Sequence, residues 1–175
     1  MIEEIASGFY QLQIPFPHNP LRNINCYIIL ADGRAMMIDT GMNMEECHST
    51  IISDLNALGA DLTKTAFFIT HMHPDHIGLL SKLAGESSVV YFNQADAAMY
   101  HSMRDSNMEN RLIRHTRNGF PGDEIRKTMN NPIYKREYTN HEFHFVQQDD
   151  VISIGDYHFH CIETPGHTRG HMCLY

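Results

Sequence analysis

Residues 70–78 read Thr-His-Met-His-Pro-Asp-His-Ile-Gly, which places His71, His73, Asp75 and His76 within six positions. The preceding Ala66-Phe67-Phe68-Ile69-Thr70 is short, apolar, aromatic and β-branched, and predicts a buried strand that stops where the motif begins. In extended backbone, side chains two apart point the same way, which puts the imidazoles of His71 and His73 on one side, able to reach a single ion. Pro74 then turns the chain. Asp75 and His76 precede Ile77–Ala84, whose apolar spacing predicts a helix, so this second pair is free to face a second ion. Neutral imidazole with one carboxylate suits zinc first, and iron, manganese, cobalt or nickel next.

A further histidine joins the set near the end of the chain. Thr164-Pro165-Gly166-His167-Thr168-Arg169-Gly170-His171 follows a strand-like segment, and its Pro-Gly pair makes a tight loop able to aim His167 at the metals. Asp39-Thr40-Gly41 follows the apolar Ala35-Met36-Met37-Ile38. In order and spacing these three segments resemble the signatures of the metallo-β-lactamase superfamily, over nearly the whole chain.

The resemblance implies an α/β (α+β) fold, the αβ/βα sandwich of that superfamily. Its first half and the start of its second are expected here, with a helical insertion around 94–140. It implies that His71, His73 and His167 bind one metal and that Asp75 and His76 bind another, giving two divalent ions, zinc before iron or manganese. Asp39 is expected beneath the site as a supporting carboxylate, and His171 as a support rather than a ligand. Two such ions share a water, lower its pKa and present hydroxide to a polarised carbonyl or phosphoryl group. The resemblance gives Asp75 the catalytic role of orienting that hydroxide. His73 stands where the oxygen-reducing diiron branch usually has Glu, which argues for the hydrolase branch. The T-P-G-H-T-x-G-H loop looks closest to the glyoxalase II (hydroxyacylglutathione hydrolase) group, so a small ester or thioester is the expected substrate. Phosphodiesterase, nuclease or lactonase activity, a persulfide dioxygenase with a single iron, and a non-catalytic metal-binding fragment are the alternatives. The family also has a bridging Asp and a last His downstream of the P-G-H-T loop. Asp149, Asp150 and Asp156 all precede His167, so none can stand in by order. Residues 1–175 are therefore expected to form one domain, incomplete at its carboxyl end. Its missing half or a second chain, including a copy of this one, should cover an apolar sheet face.

Composition narrows the setting. The formal net charge of −8 argues against broad nucleic-acid binding, and the small-molecule substrate is what the resemblance implies. The amino terminus lacks the basic start and apolar core of a signal peptide, and no apolar run approaches membrane-spanning length, so a cytoplasmic protein is expected. Cys26, Cys47, Cys161 and Cys173 show no C-x-x-C spacing and read as buried small hydrophobes. His158-Phe159-His160 is a second H-x-H, but no Asp-His follows it, and Phe159 reads as the core-facing residue with both histidines on the opposite, solvated face.

Patterning along the chain predicts strands over 5–14, 25–30, 35–38, 88–92, 142–146, 151–154, 157–163 and 171–175. Helices are predicted over 44–58, opened by an Asn43/Glu46 capping box and ended by Gly59, and over 94–104, 107–117 and 123–130, with Asn93 capping the first of these three. Within 94–140, Tyr100, His101, Met103, Arg104, Met108, Arg111, Arg114, Arg117 and Tyr134 mix basic and adaptable apolar groups. They read either as a substrate lid for an anionic or thioester ligand or as a solvated helix pair with a buried Met-rich stripe.

Overall fold

The computed structural model describes residues 1–17, 19–105, 108–130 and 137–175. Seven strands form the main sheet in chain order: β1 (Ile2–Ala6), β2 (Phe9–Pro15), β3 (Asn23–Ala31), β4 (Arg34–Ile38), β5 (Thr65–Phe68), β6 (Val90–Asn93) and β7 (Phe143–Val146). The first four are antiparallel neighbours, and β4 to β7 run parallel. The parallel crossovers carry the helices α1 (Glu45–Leu58), α2 (Pro74–Ile77), α3 (Leu80–Leu83), α4 (Gln94–Asp105), α5 (Met108–Arg117) and α6 (Gly122–Asn130). A second antiparallel sheet holds β8 (Val151–Ile154), β9 (Tyr157–Glu163) and β10 (Met172–Leu174), in the order β10-β9-β8. This is the expected mixed α/β architecture. No helix among the described residues is long and apolar enough to cross a membrane.

Strand alternation divides the interior into two cores. Ala35, Met37, Phe67, Ile69, Val90 and Phe92 point to the helical side, where Cys47, Ile51 and Leu55 of α1 meet them. Met36, Ile38 and Phe68, one residue out of phase, point to the other face and pack on Ile152, Ile154, Cys161 and Met172 of the second sheet. The main sheet is thus buried on both sides along β4 and β5, as continuous apolar runs such as Phe67-Phe68-Ile69 require, while β7 at its edge leaves His144 and Phe145 exposed. The outer face of the small sheet carries exposed Val151, Ser153, His158 and His160, which matches the solvated reading of the second H-x-H.

Several boundaries differ from the sequence-based expectation for local reasons. The 5–14 segment is two strands, because Gly8, in left-handed backbone at φ +70°, turns a hairpin, and its Cβ position lies 2.6 Å from the Leu30 carbonyl oxygen. The Asn43/Glu46 capping box does not form. Met44 occupies the N-cap position without a side-chain bond, and Asn43 Oδ1 is buried with no partner. Gly59 does end α1, in left-handed backbone. The single helix expected over 77–84 is two short ones, and Asp75 and His76 lie inside the first rather than ahead of it. Of the cysteines, Cys26, Cys47 and Cys161 are buried thiols while Cys173 is exposed.

Candidate metal centre

Three parallel strands deliver the site at their carboxyl ends, the edge where open α/β sheets place their ligands. β4 leads into Asp39, β5 into the segment from Thr70 to His76, and β6 into Asn93 and α4. The loop between β9 and β10 brings His167 from the second sheet. Its ends are pinned by Thr164 N–H to the His171 carbonyl at 2.9 Å and by Met172 N–H to the Thr70 carbonyl at 2.9 Å, which joins the two sheets beside the histidines.

His71, His73 and His167 each offer a ring nitrogen, and these atoms all lie within 4.8 Å of one another. His73 Nδ1 and His167 Nε2 face each other at 2.9 Å. The ring of His71 stands 4.8 Å from those of His73 and His167, 4.0 Å from that of His76 and 5.0 Å from that of His171. The hydrogen bonds fix its tautomer. Asp39 Oδ2 can only accept, so the Thr70 hydroxyl donates to it at 2.7 Å and must accept, at 3.0 Å, from His71 Nδ1–H. That leaves the lone pair on His71 Nε2, an atom buried without any hydrogen-bond partner. A buried acceptor with no donor is costly in an ordinary core. It is what a cation ligand requires.

Electrostatics reinforce this state. Burial, and then the neighbouring imidazoles of His76, His73, His171 and His167, push the His71 pKa down to about 2, so the ring stays neutral with its lone pair available. His171 is lowered too, by burial and then by His167, and its Nδ1 pairs with the Thr164 hydroxyl at 2.7 Å, in keeping with a supporting place.

Asp75 and His76 form a second group rather than part of the three-histidine cluster. Asp75 Oδ2 lies 3.6 Å from His76 Nε2, and His76 Nδ1 binds Asp39 Oδ2 at 2.6 Å. Burial opposes protonation of His76, but the hydrogen bond to Asp39 and the charges of Asp39 and Asp75 outweigh it and raise the pKa. Asp39 therefore sits beneath the site, as expected from its D-T-G segment. It accepts Thr70 N–H at 2.8 Å, and its backbone takes the left-handed φ of +58°, unusual for a residue with a side chain. Thr40 holds the other end of the motif, donating both its N–H and its hydroxyl to the His76 carbonyl at 2.6 and 2.8 Å.

Sequence reasoning missed Asp96. This carboxylate in the first turn of α4 is 1% exposed and accepts from Met72 N–H, the Thr168 hydroxyl and Gly170 N–H at 2.9, 2.7 and 2.8 Å. The available signal was its place three residues after Asn93, whose side chain caps α4 by accepting Ala95 N–H at 2.8 Å. An acid at that place ordinarily serves its own helix end.

Beside His167 opens a cleft of about 600 Å³, lined by Met72, Asp96, Met99, Met103, Pro165 and Arg169 among others. Asp96, Met99 and Met103 share one face of α4 by helical spacing. Met103 lines this cleft and also packs on the helical-side core, so it fits the Met-rich stripe as well as the lid. Tyr100 does not: it is buried, and its hydroxyl accepts Thr139 N–H at 2.8 Å, a core role. Arg114 and Arg117 on α5 are exposed, His101 is half-buried against Tyr100 and Phe143, and Tyr134 lies outside the described residues.

Comparison with known proteins bears on the same residues. The family model described as "Metallo-beta-lactamase superfamily" matches residues 19–175. An acyl-coenzyme A thioesterase of Gallus gallus is 27% identical over 98% of this chain and 59% of its own length. A Bacillus subtilis protein named "Probable metallo-hydrolase YqgX" is 24% identical over 91% of this chain and 63% of its own. A metallo-beta-lactamase family protein from Thermus thermophilus superposes with a TM-score of 0.80 at 21% identity, covering 98% of this chain and 56% of that one. The chain thus spans 59 to 63% of the length of these two curated relatives.

Proposed function

This chain belongs to the metallo-β-lactamase superfamily, and on that footing we propose that it is a metal-dependent hydrolase of small carboxylic esters or thioesters. The observation that carries the reading is His71 Nε2: neutral, buried, without a partner, and grouped with the ring nitrogens of His73 and His167. These three side chains would hold one divalent ion, zinc before iron or manganese, and Asp75 with His76 would hold a second. When bound, such ions acidify water and polarise the carbonyl under attack.

The remaining work falls to the chain itself. Thr70 and Asp39 keep His71 in the tautomer that presents Nε2, and Asp39 also fixes the ring of His76 through Nδ1. Asp75, partly exposed and 3.6 Å from His76 Nε2, would orient the attacking water and take up its proton. The cleft lined by Met72, Met99 and Met103 suits an apolar acyl arm next to the reacting carbonyl, because flexible thioether side chains adapt to such a group. The thioesterase name of the Gallus gallus relative supports this choice of substrate.

Metal analysis of the purified protein, with hydrolysis assays on a panel of acyl thioesters, tests the proposal. Bound zinc, iron or manganese and measurable thioester cleavage are expected, with both lost in the His71→Ala/His73→Ala double variant. A protein that holds no metal after chelator-free purification, or a double variant that hydrolyses as fast as the parent, would sink it.

A further inference from the structure

The carboxylate of Asp96 lies in the first turn of α4, yet the three hydrogen bonds it accepts all leave the helix. Oδ2 takes Met72 N–H, the amide between His71 and His73, together with the hydroxyl of Thr168, the residue after His167. Oδ1 takes the amide of Gly170, just before His171. One side chain thus grips both histidine-bearing loops, which lie more than ninety positions apart in the chain: His73 and His167 are separated by 94. No ion pair reaches Asp96 among the described residues, so its buried charge is balanced by these donors and by the positive end of α4.

The fit leaves no slack. A Cβ on Gly170 would stand 2.4 Å from Asn93 Oδ1 and 2.8 Å from the Asp96 amide nitrogen, so the loop can press against the start of α4 only because this residue has no side chain. Asn93, the capping residue, sits at the same junction and reaches the Val146 carbonyl at 3.4 Å.

We propose that Asp96 is a positioning residue of the metal centre: by tying the His71/His73 loop to the His167 loop, it sets the spacing of the three imidazoles. The inference rests on reading those imidazoles as a metal site. A backbone amide bonded to a carboxylate is fixed in direction as well as place; Met72 lies between His71 and His73, and Thr168 and Gly170 hold the loop just after His167. These three bonds therefore control where the rings begin. Asparagine cannot replace the aspartate. With its oxygen turned to Met72 and Thr168, its NH₂ group meets the Gly170 N–H, donor against donor; turned the other way, it meets Met72.

The test compares the parent with Asp96→Asn, Thr168→Val and His167→Ala, using cobalt(II) titration followed by visible spectroscopy, and amide hydrogen exchange on the metal-free protein. Asp96→Asn should keep the parent's far-ultraviolet circular dichroism, weaken cobalt binding by about tenfold or more and alter the ligand-field bands, as loss of an outer hydrogen-bonding partner does. It should also lose exchange protection at Met72 and Gly170. Thr168→Val, which removes one of the three bonds, should fall between it and the parent. An Asp96→Asn protein with the parent's cobalt affinity and spectrum, beside a His167→Ala protein that has lost both, overturns the proposal. If the parent itself binds no cobalt, the metal-site reading fails, and the exchange data still decide the clamp: retained protection at both amides in Asp96→Asn refutes it.

Discussion

Asp39 shows how much one residue can be asked to do. Its carboxylate accepts two bonds from Thr70 and a third interaction from His76, and its backbone is held in left-handed geometry. Asp39→Asn should therefore lower stability by about 1–3 kcal/mol, the cost of leaving buried hydrogen-bonding groups mismatched, as read by urea denaturation. The same substitution frees the His71 tautomer, because the Thr70 hydroxyl no longer faces a carboxylate oxygen that can only accept, and zinc affinity should fall by about tenfold to a hundredfold in competition titrations. An unchanged affinity would mean that the Thr70 hydroxyl does not hold the ring. Tyr100 is the contrasting case. Its Phe variant loses an acceptor for Thr139 N–H and is expected to cost about 1 kcal/mol in denaturation while leaving metal binding unchanged.

At the scale of elements, the active motif is a strand end followed by one turn of helix, and the sequence made the first part plain. Phe67-Phe68-Ile69 could be read as a buried strand because alternate residues feed two cores, which leaves no polar face to disguise it. The D-T-G and P-G-H-T segments were legible for the same reason, each lying where a strand ends. The helix at 77–84 was misread because periodicity sees the apolar residues but not the break at Gly78. A Cβ there would lie 2.2 Å from the Pro74 carbonyl oxygen, 2.7 Å from Asn43 N and 2.8 Å from the Gly41 carbonyl oxygen. The Pro74 atom belongs to the same turn, but the Gly41 and Asn43 atoms come from the loop after β4, so their approach is a tertiary fact without a local pattern. Gly78→Ala should force α2 away from the Gly41–Asn43 loop, with a cost of about 1–3 kcal/mol in denaturation, the usual range for overpacking. Asp96 escaped notice on similar grounds: its partners lie 24, 72 and 74 positions away.

For the whole molecule, the histidine cluster makes stability depend on pH. His71, with its pKa pushed down to about 2 from the usual 6.5, stays neutral in the fold but takes up a proton in the unfolded chain once the pH falls below that usual value. The unfolded state then binds more protons, so stability present above the unfolded pKa is lost as the pH drops. His171 acts in the same direction, whereas His76, raised by Asp39 and Asp75, contributes stability below its unfolded value that is lost as the pH rises through the raised one. The His71 shift is the larger, so the metal-free protein should show a falling urea midpoint from about pH 7 to about pH 5, and His71→Ala a shallower fall. A level midpoint in the parent would contradict this. The bond from Met172 N–H to the Thr70 carbonyl, where the second sheet meets the first, has a consequence in time as well as in space. His71 and His73 emerge from synthesis long before His167, and a chain with only that early pair offers an ion two nitrogens on an open loop. Tight capture at the proposed site would wait until the β9–β10 hairpin has docked, so the ion would latch only a chain whose second sheet has begun to form.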